Sequence, residues 1–130
     1  MDELNKYFPE IFDILNREIY KKRRYNMYKG TTPTIRWNIK NEDLDFDDIA
    51  EIWMTFKDSS NYTVNKTLTD LILNKDDRTI AYEFTQEETL KFKIGIIETQ
   101  MRILLGGGQV FATPIKEFTM NRILKGGVIE

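Results

Sequence analysis

Between Ala50 and Lys57 the chain alternates without a break: Ala50, Ile52, Met54 and Phe56 occupy one phase, and Glu51, Trp53, Thr55 and Lys57 the other. A period of two places successive side chains on opposite faces of a strand and cannot make the 3.6-residue stripe of a helix. The same phase recurs in Ile35, Trp37 and Ile39 around Arg36 and Asn38, and in Ile80, Tyr82 and Phe84. It appears again in Ile97, Thr99, Met101, Ile103 and Leu105 around Glu98, Gln100 and Arg102. Turn residues separate the runs. Asp58-Ser59-Ser60-Asn61 leads into Tyr62 and Val64, and Asn74-Lys75-Asp76-Asp77 joins Leu71–Leu73 to Ile80. Gly106-Gly107-Gly108 permits a tight reversal into the run from Val110 to Met120, where Pro114 requires an edge or a bulge. About seven short strands linked by turns predict an all-β fold, an immunoglobulin-like β-sandwich. Without the inter-sheet cysteine pair of that class, a small barrel fits the same pattern.

Two segments depart from this period. Thr85-Gln86-Glu87-Glu88 has the form of a capping box and predicts a single helical turn through Leu90. From Asp2 to about Arg24, Leu4, Tyr7, Phe8, Ile11, Phe12, Leu15 and Ile19 recur at spacings of three and four, which is helical. Pro9 suits the first position of the main helix, and Lys21, Lys22, Arg23 and Arg24 suit the negative end of its dipole. The division expected is an N-terminal helical arm over residues 1–29 and a β-sandwich over 30–130, with Gly30 to Pro33 as the joint. An isolated amphipathic helix of this length is marginal in water, so its stripe must be covered. Either it packs on its own sandwich, or Leu4, Phe8, Ile11, Phe12, Leu15 and Ile19, with Lys22 and Arg23 beside them, dock on a partner.

The chain of 130 residues contains neither cysteine nor histidine. That removes disulfides, thiolate ligands, the commonest zinc ligands, the cysteine–histidine and serine–histidine catalytic sets and the usual base near neutral pH. No enzymatic role, cofactor or metal site is expected. Asp43, Asp45, Asp47 and Asp48 alternate as in a calcium loop but lack its glycine and final glutamate, so a solvated loop is the better reading. No run approaches the roughly 20 apolar residues of a membrane helix, and a net charge of −2 gives no general attraction to nucleic acid or anionic lipid. Trp37 and Trp53 fit ordinary sandwich packing. Trp53 lies on the polar phase of its strand, which makes it a candidate partner contact.

Two segments, Lys29-Gly30-Thr31-Thr32-Pro33-Thr34 and Thr85-Gln86-Glu87-Glu88-Thr89-Leu90-Lys91-Phe92, resemble those of short β-rich structural proteins of bacteriophages and prophages. The resemblance covers roughly Lys29 to Met120. It implies a bacteriophage virion component in the head-tail junction, the tail or the capsid surface, repeated in a symmetric assembly and binding other virion proteins, with assembly in the host cytoplasm. Two other classes fit the residues: a small phage-encoded module that binds or inhibits a host protein, and a carbohydrate-binding module resting on exposed aromatic rings.

Overall fold

The computed structural model describes residues 25–130. The expected helical arm, with its stripe Leu4, Phe8, Ile11, Phe12, Leu15 and Ile19 and its cations Lys22 and Arg23, lies outside the described residues.

The described chain forms nine strands: β1 (Tyr25–Tyr28), β2 (Thr34–Asn38), β3 (Ile49–Lys57), β4 (Thr63–Thr67), β5 (Ile72–Asn74), β6 (Thr79–Glu83), β7 (Gly95–Leu105), β8 (Val110–Ala112) and β9 (Lys116–Asn121), with one short α-helix, α1 (Gln86–Lys91), and two 3-10 turns at Phe46–Asp48 and Leu68–Asp70. They make two sheets. The larger runs β1-β9-β7-β3-β4, with β8 also paired to β7, and the smaller runs β2-β6-β5. All pairs are antiparallel except β1 with β9. The two sheets pack as a sandwich, because the apolar phase of each strand points to the other sheet. Ile52, Met54 and Phe56 of β3, Ile97, Met101 and Ile103 of β7, and Phe118 and Met120 of β9 meet Trp37, Ile80 and Tyr82 from the smaller sheet, with Phe84 just beyond β6. Phe56 sits at the centre, with ring centroids 4.8 Å from Phe84, 6.2 Å from Tyr82 and 6.3 Å from Phe118.

Three sequence expectations are corrected. The arm does not extend to residue 29: Tyr25–Tyr28 is a strand of the larger sheet, with Met27 buried in the core. Gly30 to Pro33 is accordingly not a joint outside the sandwich but the crossover between its sheets. The Thr31 hydroxyl donates to Tyr28 O, Thr89 Oγ1 donates to Thr31 O, and Phe84 N–H donates to Pro33 O, which pins the segment at both ends. Gly30 adopts φ +73°, a left-handed value that favours glycine in such a turn. The acidic loop is not simply solvated. Leu44 and Phe46 are buried, and Arg78 holds the loop down by donating to Ile39 O, Asn41 O and Leu44 O while its guanidinium lies 5.1 Å from the Phe46 ring centroid.

Local chemistry elsewhere follows the sequence. Thr85 Oγ1 accepts from Glu88 N–H and Glu88 Oε1 accepts from Thr85 N–H, the reciprocal box that starts α1. Pro114 falls in the bend between β8 and β9, where Thr113 exchanges hydrogen bonds with Met101 and no ladder donor is needed from proline.

Candidate functional site

On the outer face of the larger sheet the register brings together residues distant in sequence. Trp53 of β3 stands opposite Arg102 of β7 and Thr67 of β4, and one row along Glu51 stands opposite Leu104, which stands opposite Val110 of β8. Directly opposed side chains on one face of an antiparallel pair lie in contact range, so these rows form one patch. Trp53 is 56% exposed, and Leu104 and Val110 are exposed beside it. Glu51, Trp53, Arg102, Leu104 and Val110 line a shallow depression of about 210 Å³. The Arg102 guanidinium lies 5.7 Å from the Trp53 ring centroid, a distance at which the ring face attracts a cation. Glu51 is fixed at the rim: its Oε1 accepts from Leu68 N–H and Ile52 N–H, and these two bonds hold its carboxyl below the ordinary range. The result is a sheet surface carrying a large ring, two aliphatic side chains and two opposite charges.

A second polar cluster sits at the edge between β4 and β6. Lys66 Nζ lies 2.6 Å from Glu88 Oε2 and 5.0 Å from the Tyr82 ring centroid, and Tyr82 OH donates to Glu88 at 2.6 Å. Lys66 is on the core-facing phase of β4, opposite Met54, so its stem crosses the edge of the sandwich and its ammonium meets α1 outside. Burial would lower the Lys66 pKa, but its bonds to Glu88 and Tyr82 outweigh this and raise it. Burial and the Glu88 bond together push Tyr82 up. Burial would raise Glu88, yet the bonds from Lys66, Tyr82 and Thr85 bring it below its ordinary value. Lys66, Tyr82 and Glu88 form a clasp that ties β4 and β6 to α1 at one edge of the sandwich.

The clasp predicts a pH profile of stability. Glu88 has a lowered folded pKa, so its contribution is present above the unfolded carboxylate value of about 4 and is lost as pH falls through the folded value. Lys66 and Tyr82 have raised folded values, so theirs is present below about pH 10 and is lost as pH rises through those values. With no histidine or cysteine to titrate, the unfolding midpoint in urea should stay level from about pH 5 to 9 and fall on both sides. Tyr82→Phe, which removes one titrating group and one bond to Lys66, should flatten the alkaline limb.

Of the residues singled out from sequence, Trp53 belongs to the outer patch, and the other eight lie outside the described residues. Arg102, Leu104, Val110 and Glu51 were not anticipated, because the patch exists only through the register of β3, β7 and β8. The phase of Leu104, which falls among the polar residues of its strand as Trp53 does, was the available signal. Asp47 of the acidic loop pairs with Lys75, and among the described residues no group of three acidic side chains is arranged to hold a metal ion. Among them also, no helix is long and apolar enough to cross a membrane.

Sheets, clasp and patch define a small β-sandwich domain with an exposed aromatic face. No family model and no curated protein matches the chain. Among solved structures it is similar to the crystal structure of CopC from Methylosinus trichosporium OB3b, at 13% identity and a TM-score of 0.49, with 79% of this chain and 90% of that chain covered.

Proposed function

We propose that the protein is a non-enzymatic structural component of a bacteriophage virion that acts through protein–protein contacts, with the outer face of its larger sheet seated on another subunit. The observation that carries the docking surface is the exposed cluster of Trp53, Leu104 and Val110 beside the Arg102 and Glu51 side chains on the outer face of the larger sheet. Tryptophan and arginine at the centre of a patch supply much of the energy of protein interfaces. The virion assignment rests on the resemblance of the Lys29–Thr34 and Thr85–Phe92 segments to phage structural proteins. The sandwich is assigned to the immunoglobulin-like class, supported by its two largely antiparallel sheets and the repeated crossing of the chain between them. The stripe from Leu4 to Ile19 is assigned as a helical arm forming a second docking element, with the particle, and the host cytoplasm during assembly, as its location.

Trp53→Ala combined with Val110→Ser tests this surface. Both side chains are exposed, so stability should change by no more than about 0.5 kcal/mol each. Incorporation into particles should fall at least tenfold. Normal incorporation of the folded double variant would contradict the assignment. The carbohydrate-binding alternative is favoured by one observation, the Trp53 ring flanked by Arg102 and Glu51, and would be read from retention on host polysaccharide that the same variant loses.

A further inference from the structure

The edge of the sandwich opposite the clasp is built differently. Among the described strands β2 pairs only with β6, which leaves its outer backbone edge open among the described residues, and the clefts beside it are shared with the β8–β9 bend and the start of β9. Two adjoining clefts of about 370 and 330 Å³ follow this seam, and both are lined by Trp37 and Lys116. Trp37 and Thr99 are each 3% exposed, yet among the described residues the indole Nε1–H and the threonine Oγ1 have no hydrogen-bond partner. Both residues line the second cleft. An unmet buried donor costs stability, and native proteins keep such groups chiefly where something else meets them. The Lys116 ammonium, on an exposed side chain, lies 4.5 Å from the Trp37 ring centroid and is in no ion pair among the described residues. Arg36 and Lys40 also border the seam, against the single acid Glu117.

We infer that this seam binds an extended acidic peptide segment of a partner protein, laid along the open edge of β2, with a carboxylate of the segment taken by Lys116 and the Trp37 and Thr99 side chains. The three parts answer different features of such a segment. The free edge of β2 offers main-chain hydrogen bonds to an added strand, the cations select acidic side chains, and the orphaned donors are satisfied only when the segment is present. When Lys116 swings to a carboxylate, its stem leaves the indole and opens Trp37 to the cleft. The site is separate from the Trp53 face and does not depend on that assignment.

The test uses 15N-labelled protein and a capped pentapeptide alternating valine with glutamate, against its glutamine counterpart. The chain has two tryptophans, so Trp53→Phe identifies which indole resonance belongs to Trp37. The glutamate peptide should move the Trp37 indole resonance saturably and leave that of Trp53 in place, and the glutamine peptide should bind at least tenfold more weakly. Lys116→Gln, a surface change, should weaken the glutamate peptide by a similar factor. Thr99→Val should weaken it too while raising the unfolding temperature of the free protein, since it removes an unmet hydroxyl. The inference is overturned if the Trp37 resonance stays fixed at millimolar peptide, as it would were water alone meeting the two donors. Equal binding of the two peptides, or binding unchanged by Lys116→Gln and Thr99→Val, would also overturn it.

Discussion

Phe56→Ala is expected to cost about 3–5 kcal/mol of stability. The side chain is fully buried and is the only ring in contact with aromatic neighbours on both β6 and β9 among the described residues. Its removal leaves a cavity between the sheets that Phe84, Tyr82 and Phe118 cannot fill together, because Tyr82 and Phe118 are held by their strands and Phe84 by its backbone bond to Pro33. Each edge-on ring pair adds about 0.5–1.5 kcal/mol beyond the area it buries. Set against the roughly 5–15 kcal/mol that holds a domain of this size folded, the variant should be markedly destabilised at 25 °C. Urea unfolding followed by tryptophan fluorescence measures it. A loss below about 1 kcal/mol would mean that the sheets do not pack around this ring.

The second large effect belongs to a turn. Asp58 is buried, and its carboxylate organises the β3–β4 hairpin: Oδ1 accepts from Ser60 N–H, Ser60 Oγ and Tyr62 N–H, while Oδ2 reaches across the fold to accept from Lys93 N–H beyond α1. Burial alone would raise its pKa, but the Ser60 hydroxyl and the three backbone N–H groups outweigh burial and lower it. The ionised carboxylate is therefore the form that fits. Asp58→Ala strands these donors and should cost about 3 kcal/mol, and Asp58→Asn, which keeps one acceptor oxygen, should cost less. A group with a lowered folded pKa stabilises above the unfolded value of about 4 and loses that contribution as pH falls through the folded value. The acid limb of the wild-type stability profile should thus be shallower in Asp58→Asn, and an unchanged limb would remove Asp58 from this role.

Both residues belong to patterns that are visible in the sequence. The alternation of Ile52, Met54 and Phe56 made β3 and its buried face legible, and the Asp58–Asn61 turn and the Thr85–Glu88 box were readable because their chemistry is local. What could not be read was built from contacts between distant residues. Leu44 and Phe46 are isolated apolar residues in an acidic run, and nothing within a window of that length shows that Arg78 will hold them inside. Tyr25–Tyr28 offers only four residues with one buried side chain, and it follows a run of cations in helical phase, so its strand character depends on β9 being there to pair with. Lys66 faces the core side of its strand, which no alternation rule allows for a charge until Tyr82 and Glu88 are brought to its tip. For the candidate surface, Trp53 was visible as a ring in the wrong phase, whereas its neighbours Arg102, Leu104 and Val110 required the strand register.

The proposed role makes this chain a repeated part of a phage particle, held by contacts through the Trp53 face. The most direct measurement is quantitative mass spectrometry of purified particles from a phage that encodes it, with the wild-type chain and the Trp53→Ala, Val110→Ser chain compared. The expected result is a fixed number of copies per particle for the wild type and at least a tenfold depletion of the variant. Absence of the wild-type chain from intact particles, or equal copy number for the folded variant, would contradict it.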